Sequence, residues 1–432
     1  MDTLAHYYGR LFTENQLDTN LKKLAQSKAS FDKRGKDFFC GRCQSKAVLE
    51  HILPNGNIYC RKCIVFGRVE SQAQLYYFPA QPFPKGEFLR WQGELTPFQG
   101  EISKALLRNY EHGLKTLVYA VTGAGKTEMI YALLAKVLNQ GGWVALASPR
   151  IDVCIEIHKR LVRDFSCTVQ LMHAGSGPYK RSPLIVLTTH QLLKFYQAFD
   201  LIIIDEVDSF PFVDNAVLNH AVQSALKEEG RLVYLTATST RALEKEVASG
   251  QLSKLTLSRR FHNNPLVVPK FRLVFQIQQA LEKGKLPRAL YQAVKKQLQS
   301  PYPLLIFYPV IEKGQEFFQI LQKSFDEIAM AYVSSQTEER KEKIEAFREG
   351  KLRILISTTI LERGVTFPGV DVLFVLADHH LFNSSSLIQI AGRVGRSLDR
   401  PDGQLVFFHE GVSAAMYKAR KEIIGLNKEA YG

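Results

Sequence analysis

The sequence predicts an α/β protein: two parallel-sheet lobes in tandem, preceded by a small N-terminal cysteine-bearing module. Three observations carry this reading. Short apolar runs alternate with helical patterns through most of the chain, as in parallel sheets covered by helices on both faces. Around Arg259 to Pro269 the helical pattern stops and Pro265 and Pro269 flank an apolar stretch, which divides the alternation into two series. Two Cys-X-X-Cys pairs stand ahead of both series. The expected boundaries are residues 1–90, with the cysteine module over about 36–70, then 91–262 and 263–432.

At 432 residues the chain has room for two or three domains, each with its own core. The formal net charge of +14 favours an anionic partner. Basic pairs are scattered (Lys180-Arg181, Arg259-Arg260, Arg393 with Arg396), which suits a nucleic-acid groove shared between lobes better than a polybasic membrane anchor or a merely solvated face. No apolar run approaches the ~18–20 residues that span a bilayer, and the first residues lack a basic stretch followed by an apolar core. A cytoplasmic protein is expected, with any position at the membrane supplied by partners.

The first 35 or so residues are polar and helix-prone, with Leu4, Leu11, Leu17, Leu21 and Leu24 as apolar contacts and no catalytic signature. Cys40-Gly41-Arg42-Cys43 and Cys60-Arg61-Lys62-Cys63 follow at the spacing of a four-cysteine zinc site. Four thiolates from two tight knuckles close a tetrahedral shell, so the site is read as structural. Disulfides and an iron–sulfur cluster are the alternatives for four cysteines. Asn55-Gly56 predicts a hairpin between the knuckles. Arg42, Arg61, Lys62 and Arg68 form either a nucleic-acid face or a solvated one. Cys154 and Cys167 have no partner at ligand spacing and read as ordinary thiols. Tyr76 to Pro84 reads as a linker with strand character.

Leu95-Thr96-Pro97-Phe98-Gln99 opens a helix, and Gln99 can offer its amide to an adenine edge. An apolar run from Leu117 then breaks at Thr122-Gly123-Ala124-Gly125-Lys126-Thr127-Glu128. This is a strand, a phosphate-cradling loop and a helix start, with Ala120 where the strict pattern has glycine. Glycines let backbone N–H groups close on phosphate oxygens, Lys126 supplies a cation and the Thr127 hydroxyl suits magnesium. A nucleoside triphosphate is the expected ligand.

The run from Trp143 leads into Ser148-Pro149-Arg150, and the run from Leu184 into Thr188-Thr189-His190. Both polar clusters fall at carboxyl ends of strands, where open α/β sheets hold ligands, and suit a sugar-phosphate backbone. Leu201-Ile202-Ile203-Ile204 delivers Asp205-Glu206-Val207-Asp208. Acids at the end of a buried strand are costly unless they face a cation or each other, which assigns Asp205 to magnesium and Glu206 to the attacking water. Leu232-Val233-Tyr234-Leu235 ends in Thr236-Ala237-Thr238, whose hydroxyls are read as a relay of the phosphate state.

In the second series, runs from Leu304 and Arg353 read as strands, the latter ending in Ser357-Thr358-Thr359, and Glu362-Arg363-Gly364-Val365 follows. Thr358 is a further backbone contact by this reading. Gln389-Ile390-Ala391-Gly392-Arg393-Val394-Gly395-Arg396 puts two arginines three residues apart, expected on one helical face and aimed at γ-phosphate charge.

From Gln99 through Arg396 the order of motifs resembles a superfamily 2 helicase core of two RecA-like lobes. With four cysteines ahead of that core and an Asp-Glu-Val-Asp box, the chain resembles the ComFA family of late competence ATPases of Gram-positive bacteria. That resemblance implies ATP-driven translocation on single-stranded DNA at the cytoplasmic side of the membrane, with Mg2+ and Zn2+ as cofactors. It also implies the ComEC channel and ComFC as partners in DNA uptake. The alternatives are a helicase similar to PriA acting in replication restart, whose cysteines lie within its second lobe, a nucleotide-gated DNA clamp docked through the zinc ribbon, and an RNA-directed motor.

Overall fold

The computed structural model describes residues 4–361 and 367–432, so the Glu362-Arg363-Gly364-Val365 stretch lies outside the described residues. The chain divides into two compact units: residues 1–119 with 126–256, and residues 120–125 with 257–432.

The N-terminal region contributes β1 (Leu11–Thr13), β2 (Gln26–Ala29), β3 (Phe31–Arg34), β4 (Asp37–Cys40) and β5 (Gln74–Tyr77). Where the local composition suggests helix, the only α-helix among the described residues before Cys40 is Thr19–Leu24, capped by Asp18. β1 and β2 are strands because β5, which lies beyond both cysteine pairs in sequence, inserts antiparallel between them, while β3 and β4 pair with each other. That long-range pairing outweighs local propensity. Leu11 and Leu17 are buried, whereas Leu24 is exposed. Between the knuckles the chain bends at Asn55-Gly56, with Ile52 and Ile58 bridged antiparallel and Gly56 at φ 80°.

This region packs against the first large sheet's layer within one unit. Arg10 bridges Phe195, Tyr196 N–H donates to Gly9 O at 3.0 Å, and the Tyr77 and Tyr196 rings meet edge-on at 4.7 Å. The Arg10 guanidinium lies 4.6 Å from the Tyr179 ring, and the Lys28 ammonium 4.3 Å from the Tyr196 ring. Such cation–aromatic contacts contribute about 0.5–2 kcal/mol each where partly desolvated.

The first sheet comprises β6 (Thr116–Ala120), β7 (Val144–Ser148), β8 (Val169–Met172), β9 (Leu184–Thr188), β10 (Phe199–Asp205), β11 (Leu226–Thr236) and β12 (Ser253–Leu257), in the order β12-β6-β11-β10-β7-β9-β8. Strands β6 to β11 run parallel, so their carboxyl ends share one edge. Residues 201–204 of β10 are fully buried, as a continuous apolar run covered on both faces should be. Each such Leu or Ile contributes about 1.5–3 kcal/mol by burial. The register places Ser148 beside Thr188, Asp205 beside Leu235 and Thr236 beside Tyr119.

The second unit holds a six-stranded parallel sheet of β13 (Lys270–Leu273), β14 (Leu304–Phe307), β15 (Met330–Val333), β16 (Ile354–Ser357), β17 (Asp371–Phe374) and β18 (Leu405–His409). Their order is β13-β18-β17-β14-β16-β15. The two-lobe α/β class is therefore as the sequence predicts. One buried ion pair ties this unit together: Asp371 accepts from Arg400 Nη2 at 2.7 Å, Gln404 N at 2.6 Å and Gln297 Nε2 at 3.0 Å.

Candidate active site and metal centre

The phosphate loop begins where β6 ends. Gly123 and Gly125 hold φ values of 79° and 75°, a left-handed backbone that side chains disfavour, and the helix Lys126–Met129 starts directly after them. Backbone amides, the Lys126 ammonium and the Thr127 hydroxyl are a donor set suited to a triphosphate with a hard, oxygen-seeking cation. Glu128, on the same turn, pairs with Arg160 at 3.4 Å. Gln99 is buried, and its Oε1 accepts from Thr96 N at 2.9 Å in a capping box that starts the helix Pro97–Glu111.

The acids sit at the end of β10. Asp205 is half-buried and its Oδ1 accepts from Glu206 N at 2.9 Å. Glu206 itself stands at φ 55°, a left-handed conformation costing about 1–3 kcal/mol, which the neighbouring strands must sustain. Ser209 Oγ donates to Glu206 Oε2 at 3.4 Å. Asp208 is buried and receives the Thr236 and Thr238 hydroxyls at 2.6 and 2.5 Å. The sequence pointed to these threonines without naming Asp208 as their partner. The signal was there in the pairing of an acid box and a Thr-Ala-Thr end on neighbouring strands.

Of the residues expected to touch a nucleic-acid backbone, Ser148, Thr188, Thr189 and Thr358 are buried, Arg150 is half-buried and His190 is exposed. The structure brings Ser148 and Thr188 side by side at the ends of β7 and β9. Arg150 N–H donates to Ser148 Oγ at 3.4 Å, so that serine also shapes the turn into the helix Ile151–Asp164. Cys154, on that helix, is fully buried with its thiol donating to Leu187 O, and burial pushes its pKa up to about 12. Burial likewise raises Cys167 to about 11; both are inert thiols by this measure.

In the second unit Gln389 lies on the helix Ser384–Ala391 and is half-buried. The two arginines do not share a helical face. The helix is capped at Gly392, and Arg393 and Arg396 follow in a turn, the first buried and the second half-exposed. A residue outside the motif holds that turn. Arg260, 3% exposed, donates Nη1 to Val394 O at 2.9 Å and to Gly395 O, and Nη2 to Gly392 O at 3.1 Å. Burial, with Arg396 nearby, pushes its pKa down to about 10. In sequence Arg260 is one half of an ordinary basic pair, and nothing local marks it.

The four cysteines converge. Cys40 Sγ lies 3.9 Å from Cys63 Sγ and Cys43 Sγ lies 3.5 Å from Cys60 Sγ, with all four sulfurs within 4.8 Å of one another and buried. Four Zn–S bonds of ~2.3 Å in a tetrahedron place sulfurs about 3.8 Å apart, so the set is compatible with one zinc ion, and the separations exceed any S–S bond. All four are free thiols in the structure.

No described helix is long and apolar enough to cross a membrane. Comparison with known proteins matches three separate stretches of the chain. Residues 8–77 match the Competence protein ComFA N-terminal domain, residues 96–245 the DEAD/DEAH box helicase domain and residues 285–397 the Helicase conserved C-terminal domain. Competence protein ComFA of Streptococcus pneumoniae (strain ATCC BAA-255 / R6) is 55% identical over 424 residues, covering 98% of both chains. That of Bacillus subtilis (strain 168) is 35% identical over 433 residues, covering 97% of this chain and 92% of the relative. Among solved structures, S. cerevisiae Dbp5 bound to RNA and ADP BeF3 superposes with a TM-score of 0.55 at 18% identity, over 77% of this chain and 91% of that one, a likeness of fold. A four-cysteine module ahead of two helicase lobes, with near-full-length identity, places this chain in the ComFA family of competence proteins, helicase-type ATP-dependent enzymes of superfamily 2.

Proposed function

We propose that this chain is an ATP-driven single-stranded DNA translocase that draws transforming DNA across the cytoplasmic membrane during competence. The observation that carries the reading is the edge of the first sheet. Asp205 and Glu206 end one strand, Thr236 ends its neighbour, and Asp208 binds the Thr236 and Thr238 hydroxyls. Lys126 and Thr127 hold the phosphates, with Thr122, Gly123, Ala124, Gly125 and Glu128 forming the cradle, and Gln99 reads the adenine. Thr127 and Asp205 hold magnesium, which when bound neutralises charge on the phosphate oxygens. Glu206 orients the attacking water and accepts its proton, while Gln389, Arg393 and Arg396 stabilise the charge that develops on the γ-phosphate.

DNA is held by its backbone. His190 and Arg150 make the outer contacts; Ser148, Thr188, Thr189 and Thr358 are buried at strand ends, where Ser148 Oγ accepts from Arg150 N–H and shapes the turn that presents that arginine. ComFC and the ComEC channel are the proposed partners, and the inner face of the membrane the proposed place of work, on the strength of family membership. The deciding experiment is ATP turnover with and without single-stranded DNA, for the wild type and Lys126→Ala. Strong stimulation that disappears in the variant supports the translocase. Turnover that ignores DNA sinks it and leaves a nucleotide-gated clamp; stimulation by RNA alone points to an RNA-directed motor.

A further inference from the structure

The first knuckle contains a charge that a structural loop does not need. Arg42 stands between Cys40 and Cys43, is 1% exposed, and donates Nη1 to Phe66 O at 2.9 Å and Gly67 O at 3.0 Å, both just beyond the second knuckle. Its Nε and Nη2 are buried and have no hydrogen-bond partner among the described residues. It stands in the loop that carries Cys40 and Cys43, whose sulfurs are gathered with those of Cys60 and Cys63 in one buried cluster. A guanidinium buried this deeply with carbonyl partners on one nitrogen is unfavourable unless an anion sits beside it.

The anion is supplied if the cysteines act as thiolates on a metal. One divalent ion bound by four thiolates carries a net charge of −2, which burial alone would oppose. The chemistry of the two groups is complementary, because each removes the desolvation problem of the other. We infer that Arg42 is the buried counter-ion of the four-cysteine centre: it offsets half of the charge of the metal tetrathiolate and, through the Phe66 and Gly67 carbonyls, clamps the second knuckle to the first. Lys28 and Lys194 are half-buried, the latter with its ammonium 5.8 Å from the Phe66 ring. Arg42 is the most deeply buried of these cations. The inference rests on reading the cluster as a metal site and assigns a positioning role, since Arg42 acts through the thiolates and touches no nucleotide.

The test uses the full chain loaded with Co2+, in wild type, Arg42→Met and Arg42→Lys. Affinity is read by competition with a chelator, and the sulfur-to-cobalt charge-transfer band reports electron density on the thiolates. Arg42→Met should weaken binding by about tenfold to a hundredfold, as loss of an outer-shell partner does, and move the band to longer wavelength. Arg42→Lys keeps the charge and loses the fork, so it should hold the wild-type band and most of the affinity while melting earlier. If Arg42→Met does not fold, Arg42→Lys alone decides. A wild-type band position supports the counter-ion, and a band displaced together with the affinity overturns it. Wild-type affinity in Arg42→Met, or an equal loss in both variants with the band unmoved, also overturns it in favour of a plain clamp. A wild type that binds no Co2+ refutes the metal reading itself.

Discussion

The Thr236 hydroxyl lies 2.6 Å from Asp208 Oδ1, joining the end of β11 to the acidic turn that follows β10. Thr238 Oγ1 reaches Oδ2 of the same carboxylate at 2.5 Å, so a buried anion is shared between two strand ends. Hydrogen bonds to a charged group are worth about 1.5–3 kcal/mol each, and removing one partner strands the other. A double-mutant cycle of Asp208→Ala and Thr236→Ala on urea unfolding should therefore show a coupling of about 0.5–3 kcal/mol. Under the translocase reading, Thr236→Ala should also keep nucleotide binding while losing most of the DNA stimulation. Additive effects in the cycle would mean that the two residues do not act as a unit.

Arg260 makes a separate prediction in the second unit. Its fork closes on the carbonyls of Gly392, Val394 and Gly395, the residues that bracket Arg393 and precede Arg396. Lysine cannot reproduce a planar bidentate fork. Arg260→Lys should lower kcat about tenfold, equivalent to about 1.4 kcal/mol of transition-state stabilisation, and leave KM for ATP near its wild-type value, because the arginines act on developing charge. Steady-state kinetics at saturating DNA separates the two parameters. A raised KM with unchanged kcat would place Arg260 in ground-state binding instead.

What the sequence made legible follows from what each element needs locally. The run of residues 201–204 announces a strand covered on both faces, the glycines and Lys126 announce a phosphate loop, and two Cys-X-X-Cys pairs announce a closed metal shell. Strands β1 and β2 were illegible because their partner, β5, comes after the second knuckle. Arg42 and Arg260 look like ordinary surface charges in one dimension; only the converging carbonyls make them buried clamps. The end of the helix at Ala391 was hidden too, since Gly392 and the turn after it keep the spacing of a helix while leaving its geometry. The burial of the hydroxyls at strand ends was not legible, because a polar cluster after an apolar run reads the same whether it meets solvent or supports a turn.

Because the proposed DNA contacts address phosphates, affinity should fall steeply with salt. For a single strand the slope of log K against log salt is about −0.7 per phosphate contacted. Arg150→Ala should weaken binding alike on all sequences and make that slope shallower by about 0.7. Fluorescence anisotropy of labelled oligonucleotides of differing sequence, titrated from low to high salt, reads both quantities. An unchanged slope would remove Arg150 from the DNA surface.

The cysteine centre and the first helicase lobe share one unit, which sets what loss of metal should do. Cys43, Cys60, Cys63 and Leu75 belong to the same buried cluster as Trp143, Phe195 and Phe199, and the Arg10 bridge to Phe195 and the Tyr196 N–H bond to Gly9 O tie the N-terminal region to the segment after Thr189. A metal bound by the folded state alone adds its binding free energy to stability by mass action, about 2.7 kcal/mol at a free concentration one hundred times its Kd. Cys60→Ser, or a strong chelator, should therefore lower the melting of residues in the first unit. The second unit has its own core around Leu304, Ile306 and Phe317 and should melt as before. Hydrogen exchange resolves the two: loss of protection should appear in β1, β5 and the segment after Thr189, and spare β14 and β16. Uniform loss across both sheets would mean that the chain unfolds as one cooperative body, and loss confined to residues 36–70 would mean that the centre stabilises only its own knuckles.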